Sequence, residues 1–260
     1  MRFRFFPDRC RWQWLVGLSL LVSPGLFAAE GPFRLNTALG LDQGFSVGLI
    51  HRSRFENLVD NVQPGTSPND QVIAQRTLLD LQYRQGGFHA QVELADMRQQ
   101  LMDRDSVISN GLVNSLDVLQ ANVGYRFGDA GNTFLRVGRF SEDWGSRRLV
   151  GRNRYRNTIN AWDGLVLHHQ AENGIEYRAM ATQVVRRLPT DRASLLDNDR
   201  ESDESSDAQR FYGLFATLPD LIDGWITELY YYALREKDSG DVNTRNRDLD
   251  SLGFRLRTTP

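Results

Sequence analysis

The chain has 260 residues, a formal net charge of −2 and a single cysteine. That length allows one or two domains, or part of one large barrel. The near-neutral balance gives no reason to expect a nucleic-acid partner, and one cysteine excludes a disulfide framework or a thiolate metal site.

The N-terminus reads as a secretory signal. Arg2, Arg4, Arg9 and Arg11 form a basic start, Trp14 to Phe27 is uncharged and mostly apolar, Pro24-Gly25 breaks it, and Ala28-Ala29 supplies small residues. The apolar run is shorter than the roughly 20 residues a spanning helix needs. The expectation is a signal peptide over 1–29 and a mature chain over 30–260. Four arginines, Asp8 and Cys10 leave with the signal, so 27 basic residues face 32 acidic ones. Lys237 is the only lysine. Arginine is a planar, multi-donor cation suited to carboxylate and phosphate, so the bias points to an anionic ligand; a GC-rich genome would produce part of the same bias.

Beyond residue 44 the sequence alternates with period 2. The first predicted strand is Phe45–Glu56, with Val47 and Leu49 on one face and Arg52, Arg54 and Glu56 on the other. Ala74–Gln85 sets Thr77, Leu79, Leu81 and Tyr83 against Arg76, Leu78, Asp80, Gln82 and Arg84. Gly86-Gly87 then turns into Phe88–Arg98. Ser115–Phe127 places Leu119, Ala121, Val123, Tyr125 and Phe127 on one face. Thr133–Phe140, Gly164–Gln170, Ile175–Val185, Phe211–Leu218, Trp225–Leu234 and Leu249–Arg257 complete about ten strands, and 186–209 reads as a long polar loop.

The connections alternate. Short turns fall near 86, 130, 173 and 220; long loops fall near 60–72, 99–114, 141–162, 186–209 and 235–248. Short turns on one side and long loops on the other belong to an outer-membrane β-barrel. Tyr83, Phe88, Tyr125, Phe127 and Trp225 gather beside the short turns, as an interfacial aromatic girdle would. The predicted fold is therefore all-β: an antiparallel transmembrane barrel of the outer-membrane type, placed in the bacterial outer membrane. A soluble periplasmic β protein is the competing reading.

No chemistry stands out. His51, His89, His168 and His169 lack ligand spacing, and phosphate-binding glycine motifs are absent, so neither a metal nor a cofactor nor a catalytic residue is expected. The acidic run Asp197–Asp207 reads as a solvated loop rather than a Ca²⁺ site. Arginines on the polar faces carry more information. An arginine toward lipid at the bilayer midplane costs about 2–4 kcal/mol, so in a barrel most of them line the lumen, and positive rings select anions.

The block 138–164 holds six arginines: 139, 147, 148, 152, 154 and 156. It contains Gly138-Arg139, then Gly145 with Arg148-Leu149 and Gly151, then Asn157, then Asp163-Gly164. With Arg52–Glu56 and Asp96–Arg98, it resembles the alginate-export family of outer-membrane porins. The resemblance covers roughly 45–170 closely and the rest by pattern. It implies a barrel of about 18 strands whose arginine-rich lumen passes an anionic polysaccharide, an alginate-like uronate polymer, by diffusion. On that reading Arg52, Arg54, Arg76, Arg98, Arg139, Arg147 and Arg148 line the pathway, Asp80, Asp96 and Asp163 position them, and Gly138, Gly145, Gly151 and Gly164 are turn or close-approach positions. The partners implied are that polymer or small anions, outer-membrane lipid, and periplasmic export proteins. About ten strands would make 30–260 the N-terminal portion of such a barrel. The runners-up are a general or small-anion porin, a non-conducting fragment of the barrel, and a barrel enzyme, for which no nucleophile–base pair is evident.

Overall fold

The computed structural model describes residues 35–41, 43–60, 66–67, 69–240 and 242–258. The proposed signal peptide lies outside the described residues. The described part is one antiparallel sheet of ten strands in sequence order: β1 Phe45–Leu58, β2 Asp70–Gln85, β3 Phe88–Gln100, β4 Asn114–Phe127, β5 Thr133–Phe140, β6 Trp162–Gln170, β7 Glu176–Arg186, β8 Glu204–Ile222, β9 Trp225–Glu236 and β10 Asp248–Thr258. Each strand pairs with its sequence neighbours, and β1 and β10 are the two edges. Short helices α1 (Leu35–Ala38) and α2 (Arg192–Leu196) flank it.

The two faces differ. One carries exposed apolar side chains across the whole sheet: Leu49, Leu81, Val92, Val123, Val137, Leu165, Leu214, Leu229, Leu252 and Phe254. We call it the open face. A soluble monomer rarely exposes an apolar patch beyond a few hundred Å², and this one runs unbroken from β1 to β10. An apolar face of this kind is what an outer-membrane barrel turns outward. Its short-turn end is aromatic: Phe45 lies 4.5 Å from Tyr83 between ring centroids, Tyr83 lies 6.3 Å from Phe88, and Phe88 stands opposite Tyr125. The other face is polar and is overlaid by the β5–β6 connection, residues 141–161. We call it the covered face.

Three details depart from the sequence pattern. Leu119 does not stand with Val123 and Tyr125. A bulge opposite Glu93 and Leu94 inserts an extra residue into β4, so Leu119 and Gln120 are both buried. Leu119 joins Leu78, Ala95, Met97, Ile159, Ala161 and Val185 in a small apolar cluster. Strand β8 begins at Glu204 rather than Phe211, because Glu204 and Ser205 pair with Arg186 and Val185. Its turn to β9 falls at 223–224, past Pro219-Asp220, with Gly224 in the left-handed region at φ 74°.

Candidate functional site

The loop 141–161 determines what the covered face presents. It is anchored at both ends. Trp144 is 2% exposed and packs on Phe215 and Tyr232, with ring centroids 6.1 and 6.2 Å away. Gly213 on β8 makes the room: a Cβ there would come within 2.9 Å of the Trp144 ring. The indole N–H donates to Glu142 Oε2 at 2.8 Å. Glu142 is also gripped by Arg136 and faces His168 at 3.5 Å. Burial raises its pKa, but His168, Arg136 and Trp144 together outweigh burial and hold it below the usual carboxylate value.

The far end of the loop reaches β1 and β2. Asn157, fully buried, donates through Nδ2 to the backbone oxygens of Gln75 (2.9 Å), Leu112 (2.9 Å) and Arg98 (3.2 Å). Three of the expected pathway arginines hold the same segment. Arg52 donates to the carbonyls of Arg154 and Arg156, both at 3.0 Å; Arg54 donates to that of Tyr155 at 2.9 Å; Arg76 donates to that of Arg156 at 3.3 Å. Carbonyls accept these bonds without cancelling charge. Arg152 is paired with Glu93 at 3.0 Å, Arg154 with Asp143 at 2.9 Å and Arg54 with Glu56. Six arginines (52, 54, 76, 152, 154, 156) therefore share this region with three paired carboxylates, and the local field is positive. Arg147 and Arg148 project exposed from the middle of the loop, with no carboxylate partner among the described residues.

Not every predicted residue is here. Arg98 and Asp96 lie on the open face, opposite Gln75 and Thr77, and pair with each other at 2.8 Å. Arg139 also lies on the open face, in line with Leu135 and Val137, and makes a two-pronged pair with Asp163 directly across the β5–β6 ladder at 2.8 and 2.9 Å. Both placements follow from the pleat: residues two apart share a face. Asp80 is on the covered face but binds amides rather than an arginine, those of Gln82 and of Gln91, the latter at 2.6 Å. Gly138 and Gly164 face each other in the ladder at φ 120° and 154°. A Cβ on either would strike the carbonyl oxygen of Ala121 or Ala181 at 2.4 or 2.3 Å. They allow close backbone approach beside the Arg139–Asp163 lock. Gly145 turns the chain after Trp144 at φ 53°, and Gly151 sits against the Arg147 carbonyl.

Sequence reasoning missed Trp144 and Glu142 as anchors. The available signal was an isolated Trp in a polar loop, and a carboxylate at a covered-face position.

The family's match spans residues 44–260, which include every strand and the whole loop. The chain belongs to the alginate export family. The Gly138-Arg139 and Asp163-Gly164 pairs that carried the resemblance are thus, in this alginate export family member, one structural lock between adjacent strands. The chain is also similar to the crystal structure of Pseudomonas aeruginosa OccK9 (OpdG), with a TM-score of 0.49 and 18% identity. That alignment covers 76% of this chain and 55% of the other, so this chain spans about half of that protein's length. No curated protein matches it.

Proposed function

We propose that this protein is an outer-membrane channel component that passes an anionic polysaccharide, a uronate polymer of the alginate type, by diffusion and without a chemical step. One observation carries the reading: the loop 141–161 is laid across the covered face by Arg52, Arg54 and Arg76 through carbonyl acceptors, so the narrowing it creates keeps an excess of positive charge. In this reading the covered face is the lumen, the open face meets lipid, and the short turns lie on the periplasmic side. Residues 1–29 are the signal and 30–260 contribute strands to the barrel wall. A carboxylate-bearing chain would exchange its hydration for transient contact with guanidinium groups whose orientation is already fixed, which lowers the entropic cost of each contact. Close spacing of several such groups lets the polymer step between them.

The test is reconstitution of the full chain in a planar bilayer under a salt gradient, after heat-modifiable migration shows a folded barrel. The reading expects a reversal potential on the anion-selective side. A folded protein that gives cation selectivity, or no conductance, contradicts it.

A further inference from the structure

The covered face holds a second feature, separate from the loop tip. Toward the short-turn end, between the β2–β3 and β4–β5 turns, lies a recess of about 630 Å³. Arg84, His89, Gln91, Gln120, Arg126 and Phe134 line it. Its arginines differ from those under the loop. Arg136 and Arg152, on its inner side, are paired with Glu142 and Glu93. Arg84 and Arg126 have no carboxylate partner among the described residues. Arg84 donates to Gln82 Oε1 at 2.6 Å, and Arg126 donates to the Gly131 carbonyl at 3.3 Å. The Arg126 guanidinium lies 5.2 Å from the Phe134 ring centroid, so the stack limits its orientations and leaves its charge uncancelled. His89 packs edge-on to the same ring at 5.8 Å, and its Nδ1 is buried without a hydrogen-bond partner. A buried polar atom without a partner is uncommon and suits a site completed by a ligand oxygen. The amides are oriented too: Gln91 donates to Asp80 at 2.6 Å and Gln120 to Glu93 at 2.5 Å.

Two unpaired guanidiniums, an unsatisfied imidazole nitrogen, fixed amides and an aromatic wall together recognise a carboxylate attached to a hydroxyl-rich ring. We infer that this recess is a docking site for an acidic saccharide unit, engaged from the short-turn side before the chain reaches the loop. Arg84 and Arg126 take the carboxylate, and His89 with the glutamine amides takes ring hydroxyls. The inference rests on the export-channel reading for its direction, but the site itself can be measured without any conductance.

The test is a binding titration on the purified, folded full chain in detergent, using a uronic-acid tetramer, a neutral glucose tetramer and acetate. The site predicts that the uronate tetramer binds and that the glucose tetramer and acetate bind at least about tenfold more weakly. R84Q/R126Q should weaken uronate binding about tenfold or more, as expected when charge-assisted hydrogen bonds are lost, and H89A should weaken it less. R200Q, in the β7–β8 loop, should leave it unchanged. If the double variant does not fold, each single variant should show a several-fold loss. Uronate binding equal in wild type and R84Q/R126Q, or no uronate binding to the wild type, overturns the inference. Unchanged binding in R84Q/R126Q beside an anion-selective wild-type channel would overturn the docking site and leave the channel standing. A non-conducting wild type whose uronate binding is lost in R84Q/R126Q would overturn the channel and leave the docking site.

Discussion

Replacing Trp144 by Ala tests whether the loop is truly seated on the sheet. The side chain is 2% exposed among Phe140, Val150, Trp162, Phe215 and Tyr232, and truncating a buried Trp costs about 3–5 kcal/mol. The lost indole bond to Glu142 is part of that cost. The strand ladders are untouched and Asn157 still ties the far end, so the penalty falls on local opening of 144–150 rather than on the whole sheet. Taking the lower value of about 3 kcal/mol, the open population of this segment rises about 100-fold. Arg147 and Arg148 stand exposed inside that segment. Limited trypsin digestion of the folded protein, with cut sites mapped by mass spectrometry, should show cleavage after these two arginines accelerated about 100-fold in W144A, while cuts in the β7–β8 loop keep their rate. Cleavage within threefold of wild type, in a protein that keeps its heat-modifiable migration, would refute the seating of the loop by Trp144.

The remaining predictions concern charge. R139Q should leave ion selectivity unchanged, because Arg139 lies on the open face. It should instead lower thermal stability by about 1–3 kcal/mol, less than a fully buried broken pair because both partners retain some exposure, and D163N in the same chain should recover part of the loss; a shifted reversal potential in R139Q would place the side chain in the lumen after all. Asp203 follows α2 in the β7–β8 loop, outside the strands, and its carboxyl is pushed up to about 6, by burial first and by Asp117 as well. The folded state then holds a proton that the unfolded state has released between about pH 4 and 6, so attachment of this loop weakens as pH rises through that window, by up to about 3 kcal/mol. Amide exchange at Leu188, which donates to Asp203 Oδ1 at 2.9 Å, should be faster at pH 7 than at pH 5 after correction for intrinsic rate, and D203N should remove the difference; a pH-independent protection would count against it.

All ten strands could be read from the sequence because a strand's signal is local: two-residue alternation, with glycine or asparagine at the turns. The same alternation already carried the face of Arg98 and Arg139. Arg98 has the parity of Val92 and Leu94, and Arg139 that of Leu135 and Val137, so each belonged to the apolar face. Their pairing with Asp96 and Asp163 is what makes that position affordable. The bulge at Leu119–Gln120 had no such signal; it arises from how β4 meets β3, and pairing lies outside any single strand's pattern. The seat of 141–161 was hidden for a related reason. Most of its anchors join residues far apart in the chain, such as Arg52 with the Arg154 carbonyl, and a backbone acceptor leaves no mark in composition. The arginine block suggested a positive mouth, but its arginine side chains do less of the anchoring than its carbonyls, Trp144 and Asn157.

The central claim is that the covered face is a lumen whose positive narrowing engages a uronate chain. The most direct measurement is single-channel current through the full chain while a uronate oligomer is added, compared with a neutral oligomer of equal length. Transient current blocks are expected from the uronate oligomer only, shortened about tenfold or more in R52Q/R54Q/R76Q. Equal blocks from both oligomers, or uronate blocks unchanged in the triple variant, would contradict it.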